Sequence, residues 1–278
     1  MNELRGRTAL VTGASKGIGV YIARALAAEG MNLILASRSA DKLEALADEL
    51  RDDGVRVSCI PTDLDDRRSL EALASRAEEE SGGIDVLINN AGLERWMAYD
   101  ELPTDRIDEI IEVNLRAPMT LARLLLPFML ERGRGHIVNI ASVAGMAGFP
   151  YSEAYCATKH GLVGFTRAFR LTAKSEGYPV GCSVVCPGFV DDVGMYAGMT
   201  DEAKVKSPLA FGTSSPRKVA RAVVRAIKRD APEIVVNPTP VRLWVALALL
   251  VPRFGSWLAL RLGAARIFGP VAKGRSGD

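Results

Sequence analysis

Short apolar runs alternate with longer stretches whose apolar residues recur every three or four positions, and this alternation governs the chain from Arg7 to Val236. The run 7–12 reads as a strand that enters the turn Gly13-Ala14-Ser15-Lys16-Gly17-Ile18-Gly19 and then an amphipathic stretch closing at Glu29-Gly30, which predicts strand, Gly-rich turn, helix and Gly cap. A second strand over 32–37, a helix over 40–51 capped by Ser39 and a strand over 55–60 follow. Beyond them the pattern predicts a charged helix over 67–80, a strand over 84–89, a long helix over 104–131 and a strand over 136–140. The helix carrying Tyr155, a strand over 180–186, a helix opened by Ser215-Pro216 and a strand over 233–236 complete the series. Almost wholly apolar strands separated by helices require a parallel sheet covered on both faces. The expectation is an α/β fold, a doubly wound sheet of about seven strands, forming one domain over 1–240 with an extension over 241–278.

Composition narrows this picture by exclusion. Lys plus Arg (35) nearly balances Asp plus Glu (33), so net charge points neither to nucleic acid nor to an acidic substrate. Cys59, Cys156, Cys182 and Cys186 show no metal-ligand spacing, with Cys182 and Cys186 read as buried small hydrophobes, and no metal site is expected. The N-terminus lacks a basic-then-apolar leader, so a reducing, cytoplasmic setting is expected.

Two constellations carry chemistry. Three glycines between a strand and a helix let the backbone approach a pyrophosphate resting on the helix N-terminus, and here they stand in the first strand–turn–helix unit. Tyr155 and Lys159 are four apart on a helix, which stacks a phenol beside an ammonium and predicts a phenol of lowered pKa.

In order along the chain, these motifs resemble the short-chain dehydrogenase/reductase family. Thr12 to Gly19 is similar to its cofactor turn, Asn89-Asn90-Ala91-Gly92 to its motif after the fourth strand, and Asn114, Ser142, Tyr155, Lys159 and Pro187-Gly188 fall where the family has its further motifs. The resemblance implies a Rossmann-like fold and hydride transfer between a nicotinamide cofactor and an alcohol or carbonyl. It makes Tyr155 the general acid or base, Ser142 the group that fixes the substrate oxygen, and Lys159 a partner of both the phenol and the nicotinamide ribose. Asn114 would hold a water linking Lys159 to solvent. Gly13, Ser15, Lys16, Gly17, Ile18, Gly19, Ser37, Arg38, Asp63, Leu64, Asn90, Ala91, Gly92, Pro187 and Gly188 are implied to contact the cofactor, together with Tyr155 and Lys159.

The second strand ends Ser37-Arg38 with no acid to bind ribose hydroxyls, while Arg38 and Lys16 are two cations suited to a 2′-phosphate, so NADP is expected over NAD. One departure from the family stands at Asp192, where a threonine that binds the carboxamide is expected. Trp96, Met97, Met146, Phe149, Tyr151, Met195, Tyr196 and Met199 are expected to wall an apolar pocket for a lipophilic substrate such as a sterol, retinoid or fatty-acyl chain.

The tail from Val241 is apolar with mostly basic charges, and its apolar run is shorter than the about 20 residues needed to span a bilayer. Two readings compete: helices that close the pocket or pack on a partner, and a peripheral contact with an anionic membrane; its length favours packing. The family also implies a homodimer through the helices of Asn114 and Tyr155. A 3-oxoacyl carrier-protein reductase, with Arg167 and Arg170 meeting an acidic carrier, and a catalytically silent NADP-binding module are the alternatives.

Overall fold

The computed structural model describes residues 1, 3–191, 193, 212–261, 263, 265, 268, 269 and 272. Seven parallel strands form one sheet in the order β3-β2-β1-β4-β5-β6-β9: β1 (Thr8–Thr12), β2 (Asn32–Ser37), β3 (Val57–Pro61), β4 (Val86–Asn89), β5 (Gly135–Ile140), β6 (Val180–Pro187) and β9 (Glu233–Val236). The two-residue strands β7 (Phe189–Val190) and β8 (Thr213–Ser214) pair separately, too short for any periodicity to announce them.

Alternation along each strand divides the core. Ala9 and Val11, Leu33 and Leu35, and Val86 and Ile88 point into one apolar layer with Ile22, Leu26 and Val223. Leu10, Ile34 and Leu87 between them point into the other, with Leu73, Leu121 and Leu125. Both faces are covered, which is why the strands read as continuous apolar runs.

Strand order reverses between β1 and β4, so the connections leaving these neighbours diverge to opposite faces and open a crevice at their carboxyl ends. The helices α1 (Ile18–Ala28), α2 (Ala40–Arg51) and α3 (Arg67–Ser81) follow the expected boundaries closely, and α6 (Glu153–Ser175) carries Tyr155. The long helix expected over 104–131 is interrupted. It consists of α4 (Thr104–Ile111), a π-helical turn over Glu112–Arg116 and α5 (Ala117–Glu131). Pro118 has no N–H to close the α-helical bond to the Asn114 carbonyl, which accounts for a ladder that shifts register there.

After α7 (Pro216–Arg229) and β9, the chain forms two helices, α8 (Val241–Leu250) and α9 (Pro252–Arg261). They cross where Gly255 meets Ala248, so closely that a Cβ on Gly255 would come within 2.6 Å of the alanine methyl. Their small side chains meet and their large ones face outward: Leu243, Trp244, Leu247, Leu250, Phe254, Trp257 and Leu260 are all exposed. The rest of the described chain leaves these side chains of α8 and α9 uncovered. No described helix is long and apolar enough to cross a membrane.

Candidate active site

A single cavity of about 720 Å³ runs along the crevice from the Gly-rich turn to Ser142, Tyr155 and Lys159. Its floor is pinned by Thr12 and Asn90. The Thr12 hydroxyl donates to the Ile88 carbonyl (3.2 Å) and accepts from the amides of Asn90 (3.1 Å) and Ala91 (3.2 Å). Asn90 returns its side-chain amide to the carbonyls of Thr12 (3.0 Å) and Gly13 (3.2 Å). Gly13 has φ +66°, and a Cβ there would lie 2.8 Å from the Ala91 Cα, so only glycine allows the turn this close to β4.

Gly13, Ser15, Lys16, Gly17, Ile18, Ser37, Arg38, Asp63, Leu64, Asn90, Ala91 and Gly92 line the cavity, as do Pro187 and Gly188. Gly19 does not. A Cβ on it would sit 2.2 Å from the Gly13 carbonyl oxygen and 2.7 Å from the Asn90 amide nitrogen, so its part is to let α1 close on the turn. Lys16 and Arg38 are exposed at this end of the cavity, and Lys42, which the sequence reading left out, joins them.

At the other end, Ser142 leaves β5 in extended backbone; its hydroxyl accepts from the Ala144 amide at 3.1 Å and donates to the Pro187 carbonyl at 3.4 Å. Tyr155 lies in the first turn of α6, and Lys159 one turn on is 3% exposed. The Lys159 ammonium donates to the Ile140 carbonyl at 2.9 Å. Burial brings its pKa down to about 8, with the Glu94 carboxylate working in the opposite direction.

The phenol expected to be acidified is shifted the other way. Burial pushes the Tyr155 pKa up, the nearby Glu94 carboxylate adds to the rise, and a hydrogen bond with Ser142 opposes it. Desolvation of the phenol is the largest effect, while the Lys159 ammonium donates to the sheet carbonyl of Ile140.

Asn114 is fully buried but does not line the cavity. Its side chain clasps one backbone unit: Oδ1 accepts from the Leu93 N–H and Nδ2 donates to the Leu93 carbonyl, both at 2.7 Å, with Thr158 Oγ1 at 3.3 Å. It thereby ties the loop after β4 to α6, as the Asn89–Asn139–Thr166 chain of hydrogen bonds ties α6 to the sheet.

Of the residues expected to wall the pocket, Trp96 and Phe149 do so. Met146 packs into the core with Leu162 and Val163, and Tyr151, at a strained φ of +62°, lies against Gly269 of the tail; neither lines the cavity. Met195, Tyr196, Met199 and Asp192 lie outside the described residues. Glu94, Arg95, Ser152, Phe189 and Phe268 are among the wall residues that the sequence pattern did not reveal. Phe268 is buried, edge-on to Phe149 (centroids 5.8 Å apart) and tilted against Phe189 (6.1 Å), so the tail returns to close the chamber. Arg167 and Arg170, expected to meet an acidic carrier, pair instead with Glu233 at 2.8 Å and Asp230 at 2.7 Å.

Comparison with known proteins places the chain in a family. The family model described as short chain dehydrogenase matches residues 7–204. The ketoacyl reductase HetN of Nostoc sp. is 44% identical over 241 residues, which are 87% of this chain and 82% of that protein. An actinorhodin polyketide ketoreductase solved with NADPH superposes with a TM-score of 0.75 at 33% identity, covering 85% of this chain and 97% of that one. A short chain dehydrogenase/reductase from Burkholderia phymatum solved with NAD gives 0.81 at 28% identity, covering 91% and 96%. The protein belongs to the short-chain dehydrogenase/reductase family and is an oxidoreductase of that family.

Proposed function

We propose that this protein is an NADP-dependent oxidoreductase that interconverts a lipophilic secondary alcohol and its ketone. The observation that carries the reading is one continuous cavity with a glycine turn and exposed cations at one end and Ser142, Tyr155 and Lys159 at the other. The cradle fits a dinucleotide: Gly13 and Gly17 bring backbone close to where phosphates would lie on α1, and Lys16 and Arg38 are placed for a 2′-phosphate, with no acid at the end of β2. When bound, NADP(H) supplies the hydride donor or acceptor.

The chain's own residues manage the oxygen. Ser142 hydrogen-bonds and orients it. The Tyr155 hydroxyl gives it a proton during reduction or takes one during oxidation, and a phenol with a raised pKa is protonated at neutral pH, the form reduction needs. Lys159 holds positive charge beside the phenol and is placed to bind ribose hydroxyls, while Asn114 fixes the loop against which both sit. Trp96, Phe149, Phe189 and Phe268 give the substrate end apolar walls.

Among lipophilic carbonyls, a 3-oxoacyl chain has the most support, because a ketoacyl reductase and a polyketide ketoreductase are among the proteins this chain is similar to. Delivery by a carrier protein docking on Arg167 and Arg170 loses support from their ion pairs. A silent NADP-binding module does not explain why Ser142, Tyr155 and Lys159 converge in the chamber. NADPH oxidation measured with 3-oxoacyl thioesters, a sterol ketone and retinal tests the proposal; no turnover of any of them, or equal use of NADH, counts against it.

Residues 1–240 then constitute the catalytic domain and 241–278 an extension that closes it. Ile111, Met119, Phe128 and Leu171, exposed on α4, α5 and α6, support a homodimer through those helices. The outward apolar side chains of α8 and α9, two of them tryptophans, with Arg253 and Arg261 and no acid, suit an anionic lipid surface. Sedimentation with anionic but not zwitterionic vesicles supports that contact; burial of the same helices in a dimer overturns it.

A further inference from the structure

One carboxylate faces the reaction chamber without a place in the chemistry so far described. Glu94, on the loop after β4, lines the same cavity as Ser142, Tyr155 and Lys159. The hydroxyl of Ser152 donates to Glu94 Oε1 at 2.8 Å. Ser152 is itself 3% exposed and is the N-terminal cap position of α6, so this bond holds the acid at the positive end of a 23-residue helix. That location favours the ionised carboxylate. Its field reaches the reacting groups, since it raises the pKa of both Tyr155 and Lys159. Two cations bear on the same end of the cavity: Lys159, bonded to the Ile140 carbonyl, and Arg95, exposed at the rim.

We propose that Glu94, anchored by Ser152, sets the charge selectivity of the chamber: it admits neutral carbonyl compounds that offer a hydrogen-bond donor near the reacting carbon and rejects those that carry a carboxylate there. An ionised carboxylate accepts hydrogen bonds and donates none, so an amide N–H or a second hydroxyl is matched to it. A substrate carboxylate beside Glu94 meets like charge at a partly buried site, where solvent screens the repulsion less than in bulk water. Ketones derivatised as primary amides therefore suit the site better than the corresponding free acids. This deepens the reading of the protein as a carbonyl oxidoreductase and rests on it for the word substrate, but the selectivity itself is a property of binding.

The test is calorimetric titration of the NADP-loaded full chain with 3-oxodecanoate and 3-oxodecanamide, a pair of similar shape that differs in charge and in an N–H donor. The wild-type protein should bind the amide at least about tenfold more tightly, a ratio of the size that one close like charge produces. Glu94→Gln should lose that preference, Glu94→Asp should keep it, and Ser152→Ala should weaken it. A wild-type preference below about tenfold, no measurable binding of the amide, or a preference that survives in Glu94→Gln overturns the assignment. Should Glu94→Gln not fold, the wild-type pair and Ser152→Ala decide. Because turnover is not the readout, selective binding without NADPH oxidation would leave this inference standing and remove the oxidoreductase reading, whereas turnover without charge selectivity would do the reverse.

Discussion

The Lys159 ammonium lies 5.5 Å from the centre of the Tyr155 ring and donates to the Ile140 carbonyl, so the cation that accompanies the phenol is anchored on the sheet. The pair is thus one rigid unit of α6 and β5, and its electrostatics follow from burial as much as from contact.

Replacing Tyr155 by Phe removes the proton donor and leaves the ring packing in place. Ketone reduction should fall by about 10²–10⁴-fold, the usual contribution of a general acid, while NADPH binding measured by calorimetry stays measurable. Unchanged turnover would remove Tyr155 from the chemistry.

Lys159 provides a pH signature. With its pKa brought down to about 8, the ammonium is present below that value and is lost as pH rises through it. kcat/KM for reduction should therefore decline above about pH 8, and Lys159→Met should abolish the decline together with most of the activity and weaken NADP binding. A profile flat to pH 10 in the wild type would contradict this.

Cofactor choice rests on Arg38 and Lys16. Arg38→Asp should reduce preference for NADP over NAD by about 10–100-fold, as loss of a charge-assisted hydrogen bond implies. The ratio of kcat/KM for the two cofactors is the measurement, and an unaltered ratio would place the selectivity elsewhere.

Phe268 should matter to substrate rather than to cofactor. Phe268→Ala removes a ring packed on Phe149 and Phe189, so KM for a long-chain ketone should rise about tenfold as apolar contact is lost, with the Kd for NADP unchanged. A raised Kd for NADP with no change in ketone KM would show that the tail serves the fold instead.

His136 gives an acid limit to stability. It is buried, its Nε2 is 2.8 Å from the Ser183 hydroxyl, and burial lowers its pKa to about 4 against the opposing pull of Asp230. The folded state binds fewer protons than the unfolded state between about pH 6.5 and 4. Stability should therefore fall as pH drops through that window, by an amount on the order of 3 kcal/mol when complete. Thermal unfolding across pH 4–7 reads it, and His136→Gln should flatten that limb.

Much of this was legible in one dimension because it is periodic or local. Apolar alternation determined the order and kind of the seven sheet strands, and the Gly13–Gly19 turn, Asn90, Ser142, Tyr155 and Lys159 stood in motifs whose order along the chain carried the family. What only the tertiary structure decided depends on distant contacts. The sign of the Tyr155 shift is set by enclosure, the Asn114 amide is spent on Leu93, and the π-helical turn arises where Pro118 meets a helix that periodicity alone would continue. Glu94 and Phe268 were silent in the sequence because nothing local marks them. An acid after a glycine motif becomes a chamber wall only when the hydroxyl of Ser152, 58 positions away at the start of α6, bonds it, and a phenylalanine near the C-terminus becomes one only when the tail folds back onto Phe149 and Phe189.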